Sequence, residues 1–195
     1  MSKSNYWLVE PSGEERAMPG EPQERAKHPV SALLAGPYGH PFHPILVTVP
    51  IGAWVSSLVF DVASRFADDP DFLARGAMWL IAVGVIGALA AASVGFLDLF
   101  AVPAGTRAFR VGLVHMTLNL LVTAAYAGSF VWRHAGNGPS GSVGAGQLAL
   151  NVVTLAVLGV SGSLGGRLAY RYGVRVVDEA TQAEGFAPSP RSDRR

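Results

Sequence analysis

Of the 195 residues half are hydrophobic and only 15% charged, against roughly a quarter charged in an ordinary soluble domain, so the surplus apolar surface calls for a bilayer. The chain has no cysteine, which removes disulfides, iron–sulfur ligation, thiol catalysis and covalent haem attachment; any haem would be held by histidine. The net charge of +1 comes with no basic stripe that would suit nucleic acid.

The N-terminal stretch carries Glu10, Glu14, Glu15, Glu21 and Glu24 and lacks the basic-then-apolar order of a signal peptide. Residues 1–36 and 174–195, rich in Pro, Ser and charge, read as tails without a fixed fold. Between them, 37–173 reads as one membrane domain.

That domain opens on Gly39-His40-Pro41-Phe42-His43-Pro44. A proline disfavours the α region for the residue before it, so His40 and His43 are expected in extended backbone. At three residues per polyproline turn they would face one side, about 9 Å apart. Four apolar segments follow, each long enough to span a bilayer at about 20 residues per crossing: Pro44 to about Ser64, Gly76 to Val102, Phe109 to Trp132, and Gly146 to Leu168. The short connections place successive spans antiparallel. The expected fold is all-α, an integral membrane up-and-down four-helix bundle.

Twelve Lys and Arg fall on the side of the termini and second loop, and three (Arg65, Arg75 and Arg133) on the other. This bias predicts that both termini are cytoplasmic, in a multi-pass membrane protein. Pro50 interrupts the first span, leaves the Leu46 carbonyl without its helical donor and predicts a kink. Gly87, Ala91 and Gly95, Gly84, Ala88 and Ala92, and the Gly162/Gly166 pair form small-residue stripes that allow close helix contact.

With orientation assigned, depth follows for each polar residue. His43 stands at the entrance of the first span, Asp98 near the end of the second, and His115 about 9 Å inside the third at 1.5 Å per residue. All three fall in one leaflet. Asp98 needs a partner at that depth, with His115, Arg107 or Arg110 in reach. His115 would be satisfied by Asn119 one turn on, by a carbonyl of a neighbouring helix, or by a bound metal. His43 is either a ligand or a helix cap. On the opposite side Trp54, Tyr126 and Trp132 suggest an interfacial belt, and Asp61 is expected to be solvated or paired with Arg65. His43 precedes Trp54 by eleven residues, and His115 precedes Tyr126 by the same interval; a doubled helix hairpin would pair the histidines by pseudosymmetry.

The His-Pro run feeding Pro50-Ile51-Gly52, the Gly95-Phe96-Leu97-Asp98 end of the second span, the His115 to Asn119 pair, and Gly165-Gly166-Arg167-Leu168-Ala169-Tyr170-Arg171-Tyr172-Gly173-Val174 together resemble a bacterial four-span membrane family known only as a domain of unknown function. The resemblance covers about residues 36–177. It implies a fold and a location, and a distant similarity to small b-type cytochrome bundles, some relatives being fused to Rieske-type domains. The cofactor-binding candidates are then His43, His115, His40 and Asp98, for a b-type haem or a metal ion serving electron transfer. The alternatives are a non-enzymatic bundle conducting protons or a small solute, and a membrane assembly subunit. No nucleophile elbow, phosphate loop or metalloprotease helix points to catalysis. Expected partners are the lipid bilayer and a redox or assembly protein, with self-association left open and no nucleic acid.

Overall fold

A computed structural model describes residues 21–28, 41–135 and 141–186. Among them there is no strand, and seven helices follow in order: α1 (Glu21–Lys27), α2 (Phe42–Leu46), α3 (Thr48–Ala63), α4 (Asp71–Leu99), α5 (Arg107–Ala135), α6 (Ala145–Tyr170) and α7 (Glu179–Glu184). Four helical stretches are long and apolar enough to cross a membrane: Phe42–Ala63, made of α2 and α3, and then α4, α5 and α6. They pack as a four-helix membrane bundle in which α4 lies against α3 and α5, and α6 against α5 and α3.

Helix boundaries follow local chemistry. Asp71 stands in the first turn of α4, where a carboxylate suits the helix dipole. The last turn of that helix tightens, with Phe100, Ala101 and Val102 N–H groups donating three residues back, just before Pro103. Thr106 caps α5 by accepting the Phe109 N–H at 3.1 Å. Gly173, at φ 67°, takes the left-handed turn that ends α6. The expected break at Pro50 is present: the first span is interrupted at Val47, between α2 and α3.

One face of α4 sets the close packing of the first hairpin. A Cβ at Gly76 would meet the Phe60 ring, at Gly84 the Trp54 indole, at Gly87 the Val49 side chain and at Gly95 the His43 imidazole. These four glycines recur with an eleven-residue interval, about three turns, and so share one face. The pair expected on α6 does not act this way. A Cβ at Gly162 would meet nothing within 4 Å, whereas Gly165 lies against His115.

Trp54 and Tyr126 are buried rather than forming a belt. Their rings stack 14° from parallel with centroids 4.2 Å apart, in a core with Ile81 and Val122. Trp54 Nε1 donates to the Ile81 carbonyl at 3.3 Å, so the indole satisfies its one donor inside the bundle and needs no headgroup. Trp132 is the aromatic of the three that stays exposed.

Both tails carry helices, contrary to the expectation of no fixed fold. α1 buries Ala26, whose carbonyl accepts the Arg175 N–H at 2.9 Å. Lys27 Nζ meets Glu179 Oε2 at 3.0 Å. These contacts join two stretches that lie 152 residues apart, a pairing that local composition cannot reveal.

Candidate functional site

Polar side chains inside the bundle gather at two levels: a histidine end, on the side of the chain termini, and an aspartate end opposite. At the histidine end α2 supplies His43 and α5 supplies His115. Their ring centroids are 6.4 Å apart with planes at 85°. The equal eleven-residue spacings are thus realised in space, since Trp54 and Tyr126 also meet.

His43 lies in helical backbone, not the extended form its following proline suggested. Pro41 takes the extended cap position and Pro44 falls in the first turn, where a missing N–H costs nothing. His43 Nδ1 lies 2.9 Å from the Ala91 carbonyl of α4. A carbonyl only accepts, so Nδ1 donates, and in the neutral imidazole Nε2 then keeps its lone pair. His115 repeats this on α6: Nδ1 lies 2.8 Å from the Ser161 carbonyl. Ser161 Oγ donates to the His115 carbonyl at 3.2 Å.

Both satisfying partners foreseen for His115 are therefore in place. Asn119 Nδ2 donates to the His115 carbonyl at 2.9 Å and lies 3.1 Å from Nε2. Glycines make room for both rings. A Cβ at Gly95 would stand 2.7 Å from His43 Cε1, and one at Gly165 3.0 Å from His115 Cε1.

Asp98 bonds neither histidine and neither expected arginine. Its partner is Arg175, with Nε 3.0 Å from Oδ1, set off the line of an aligned hydrogen bond. The segment after α6 turns back through Gly173 and Arg175, the latter at φ 58°, and so brings a cation to the end of α4. Asp98 remains within electrostatic reach of His43. His40 lies outside the described residues.

The aspartate end holds a network that sequence reasoning missed. Asp61 is fully buried and Arg133 is 3% exposed. They form a two-pronged pair, Nη1 to Oδ1 and Nη2 to Oδ2, each 2.7 Å. Asn151 Nδ2 donates to Asp61 Oδ2 at 2.8 Å and to Ser57 Oγ at 3.1 Å. Tyr126 OH donates to Asn151 Oδ1 at 2.8 Å. Arg65, the expected partner of Asp61, instead donates to the Val143 carbonyl at 2.9 Å. Arg133 wins because its planar fork reaches both carboxylate oxygens from the facing helix. A signal for it existed: His115, Asn119, Thr123, Tyr126, Ser129 and Arg133 recur at intervals of three and four, which is one stripe of a helix.

The two ends differ in chemistry. The Asp61 carboxylate accepts from three charged or amide donors, with both oxygens engaged, so the cluster braces helices. The imidazoles are each anchored through Nδ1, as proteins orient metal-binding histidines, with His115 Nε2 met in addition by Asn119. Among the described residues no three His, Cys, Asp or Glu side chains converge as a metal site would require. Two histidines alone leave a bare divalent ion short of ligands. A haem, if bound, would be held by these two imidazoles, its macrocycle supplying the remaining donors.

Fold and site together define a four-span helical membrane protein with a charged brace at one end and a paired-histidine layer at the other. The chain belongs to the family described as Predicted membrane protein (DUF2231), which it matches over residues 39–178. Comparison with curated proteins and with solved structures gives no match.

Proposed function

We propose that this protein is a membrane electron-transfer protein holding a b-type haem between His43 and His115. The observation that carries the proposal is the matched anchoring of the two imidazoles, each Nδ1 on a carbonyl of the neighbouring helix, with the rings 6.4 Å apart. Haem, when bound, would supply one-electron chemistry. The chain's own part is to hold both rings in one tautomer through Ala91 and Ser161. Asn119 can release His115 Nε2 without being orphaned, because it keeps the His115 carbonyl at 2.9 Å. His40, next to the entrance, would belong to the surround of the site. Asp98, paired with Arg175, would set the charge beside His43 and would not orient an imidazole.

The test is an absorbance spectrum of protein made with an ample haem supply. A Soret band with one haem per chain, lost in His43→Ala and in His115→Ala while both variants stay folded with unfolding midpoints near that of the cofactor-free wild type, is the expected result. A colourless wild type that stays colourless on adding hemin overturns it.

A second reading, proton or solute conduction, is favoured by the polar stripe of α5. Against it, the Trp54–Ile81–Val122–Tyr126 core separates the two polar levels. Conduction in proteoliposomes that His115→Ala abolishes would establish it.

The charge bias further leads us to place the histidine end in the cytoplasm of a bacterium. Because the chain has no cysteine, single substitutions report this cleanly. Asp68→Cys should react with an impermeant maleimide on intact cells, and Ala104→Cys only after lysis.

A further inference from the structure

We propose that the seam between α5 and α6 at the histidine end binds the headgroup phosphates of an acidic phospholipid through Arg107, Arg110, Arg167 and Arg171. All four are exposed. Among the described residues none of them has a carboxylate partner, and neither α5 nor α6 contains a single Asp or Glu.

Register places the four together. His115 meets Ser161, so these positions are level in the antiparallel pair. Arg110 lies five residues beyond that level and Arg167 six, or about 7.5 and 9 Å at 1.5 Å per residue. Arg107 and Arg171 follow one turn further out.

Rotation places them on one side. At the opposite end of the same seam the Trp132 ring lies against Gly146, where a Cβ would stand 3.1 Å from Cη2. Arg107 precedes Trp132 by 25 residues, and Arg171 follows Gly146 by 25. That interval is close to seven full turns at 3.6 residues per turn. The two arginines therefore face each other across the seam much as Trp132 and Gly146 do, with Arg110 and Arg167 on its outer lip.

An excess of cations is expected wherever a helix leaves the membrane on its positive side; their distribution here is uneven. The first span has no Lys or Arg at all, and α4 has only Arg75, at the aspartate end. Of the other cations at that end, Arg175 is engaged by Asp98 and Lys27 by Glu179. Arg107 and Arg110 also occupy the first turns of α5, whose exposed N–H groups already make that end positive. Four guanidiniums and a helix N-terminus at headgroup depth form a site for phosphodiester oxygens, which guanidinium groups bind in two-pronged fashion. Each arginine near the surface contributes about fivefold in affinity for acidic lipid.

Native mass spectrometry and thermal unfolding of the full chain in a mild detergent test this. Titration with phosphatidylglycerol or cardiolipin should give retained lipid adducts and a raised midpoint, and phosphatidylcholine should give neither. Arg107→Gln and Arg171→Gln should each weaken the effect about fivefold, and the fourfold Arg→Gln protein should lose it. Arg65→Gln with Arg75→Gln, at the other end, should leave it unchanged. Equal shifts with phosphatidylcholine, equal shifts with inorganic phosphate alone, or single variants that bind acidic lipid like wild type would each overturn the proposal. The single variants keep the test open if the fourfold protein does not fold. None of these readouts depends on a haem.

Discussion

The two ends of the bundle solve the problem of polar groups in a membrane in opposite ways. At the aspartate end the buried charges are matched: the Arg133 fork closes on Asp61, Asn151 donates to Asp61, and Ser57 and Tyr126 engage Asn151. At the histidine end each Nδ1 is held by a carbonyl of the neighbouring helix, His115 Nε2 is met by the Asn119 amide, and among the described residues His43 Nε2 has no hydrogen-bond partner. Saturated polarity fixes a structure, because an unmatched group in hydrocarbon costs several kcal/mol. Polarity left with a lone pair is available for binding. The comparison thus separates a brace from a site, although both were equally polar in the sequence.

The largest break in this contrast comes from removing one member of the brace. Asp61→Ala leaves the Arg133 guanidinium buried without its counter-charge and should cost about 3 to 5 kcal/mol, read as lowered unfolding midpoints in detergent. The double variant Asp61→Leu, Arg133→Met removes both charges and should return to within about 2 kcal/mol of wild type. If the double variant is as unstable as the single, the pair is more than a brace.

Overpacking should tell the same story at the glycine face. Gly84→Leu drives a side chain into Trp54 and should cost about 1 to 3 kcal/mol, whereas Gly162→Leu, with nothing within 4 Å, should cost far less. Gly95→Ala pushes on the His43 ring and, on the haem proposal, should lower haem occupancy more than stability. Tyr126→Phe removes the donor to Asn151 Oδ1 and should cost about 1 to 3 kcal/mol, without altering occupancy at the histidine end.

The smallest effect lies outside the membrane. The Asp178 carboxyl is held below its usual range first by the Thr181 N–H it accepts, then by the Thr181 hydroxyl. A depressed folded-state value means that this contribution is complete above the ordinary carboxylate range, about pH 4, and is lost as pH falls through the folded value. Glu179 shifts the same way, first through its main-chain N–H and then through Lys27. Hydrogen exchange at the Thr181 amide should therefore quicken below about pH 4 while amides of α5 stay protected.

Several features of the fold were plain in the sequence for physical reasons. Hydropathy is a property of consecutive residues, so the four spans emerged within a few positions of Phe42–Ala63, α4, α5 and α6. Pro50 lies three residues past the interruption at Val47, and the eleven-residue echo pointed to the His43–His115 meeting but not to the buried Trp54–Tyr126 stack, which reads in sequence as an interfacial belt. The Arg133 pair was hidden because charge counting treats an arginine near a helix end as a loop residue. Arg175 was hidden because its composition reads as a tail.

What the sequence determined by itself is depth: how many times the chain crosses and how far along its span each polar residue lies, since both follow from a fixed rise per residue. Only the tertiary structure decided facing and partnership. Helix rotation is set by distant contacts, such as the glycines of α4 against Trp54 and His43. That rotation is why Asp61 meets Arg133 across the bundle and not Arg65 one turn away, and why Asp98 meets Arg175 from beyond the last span.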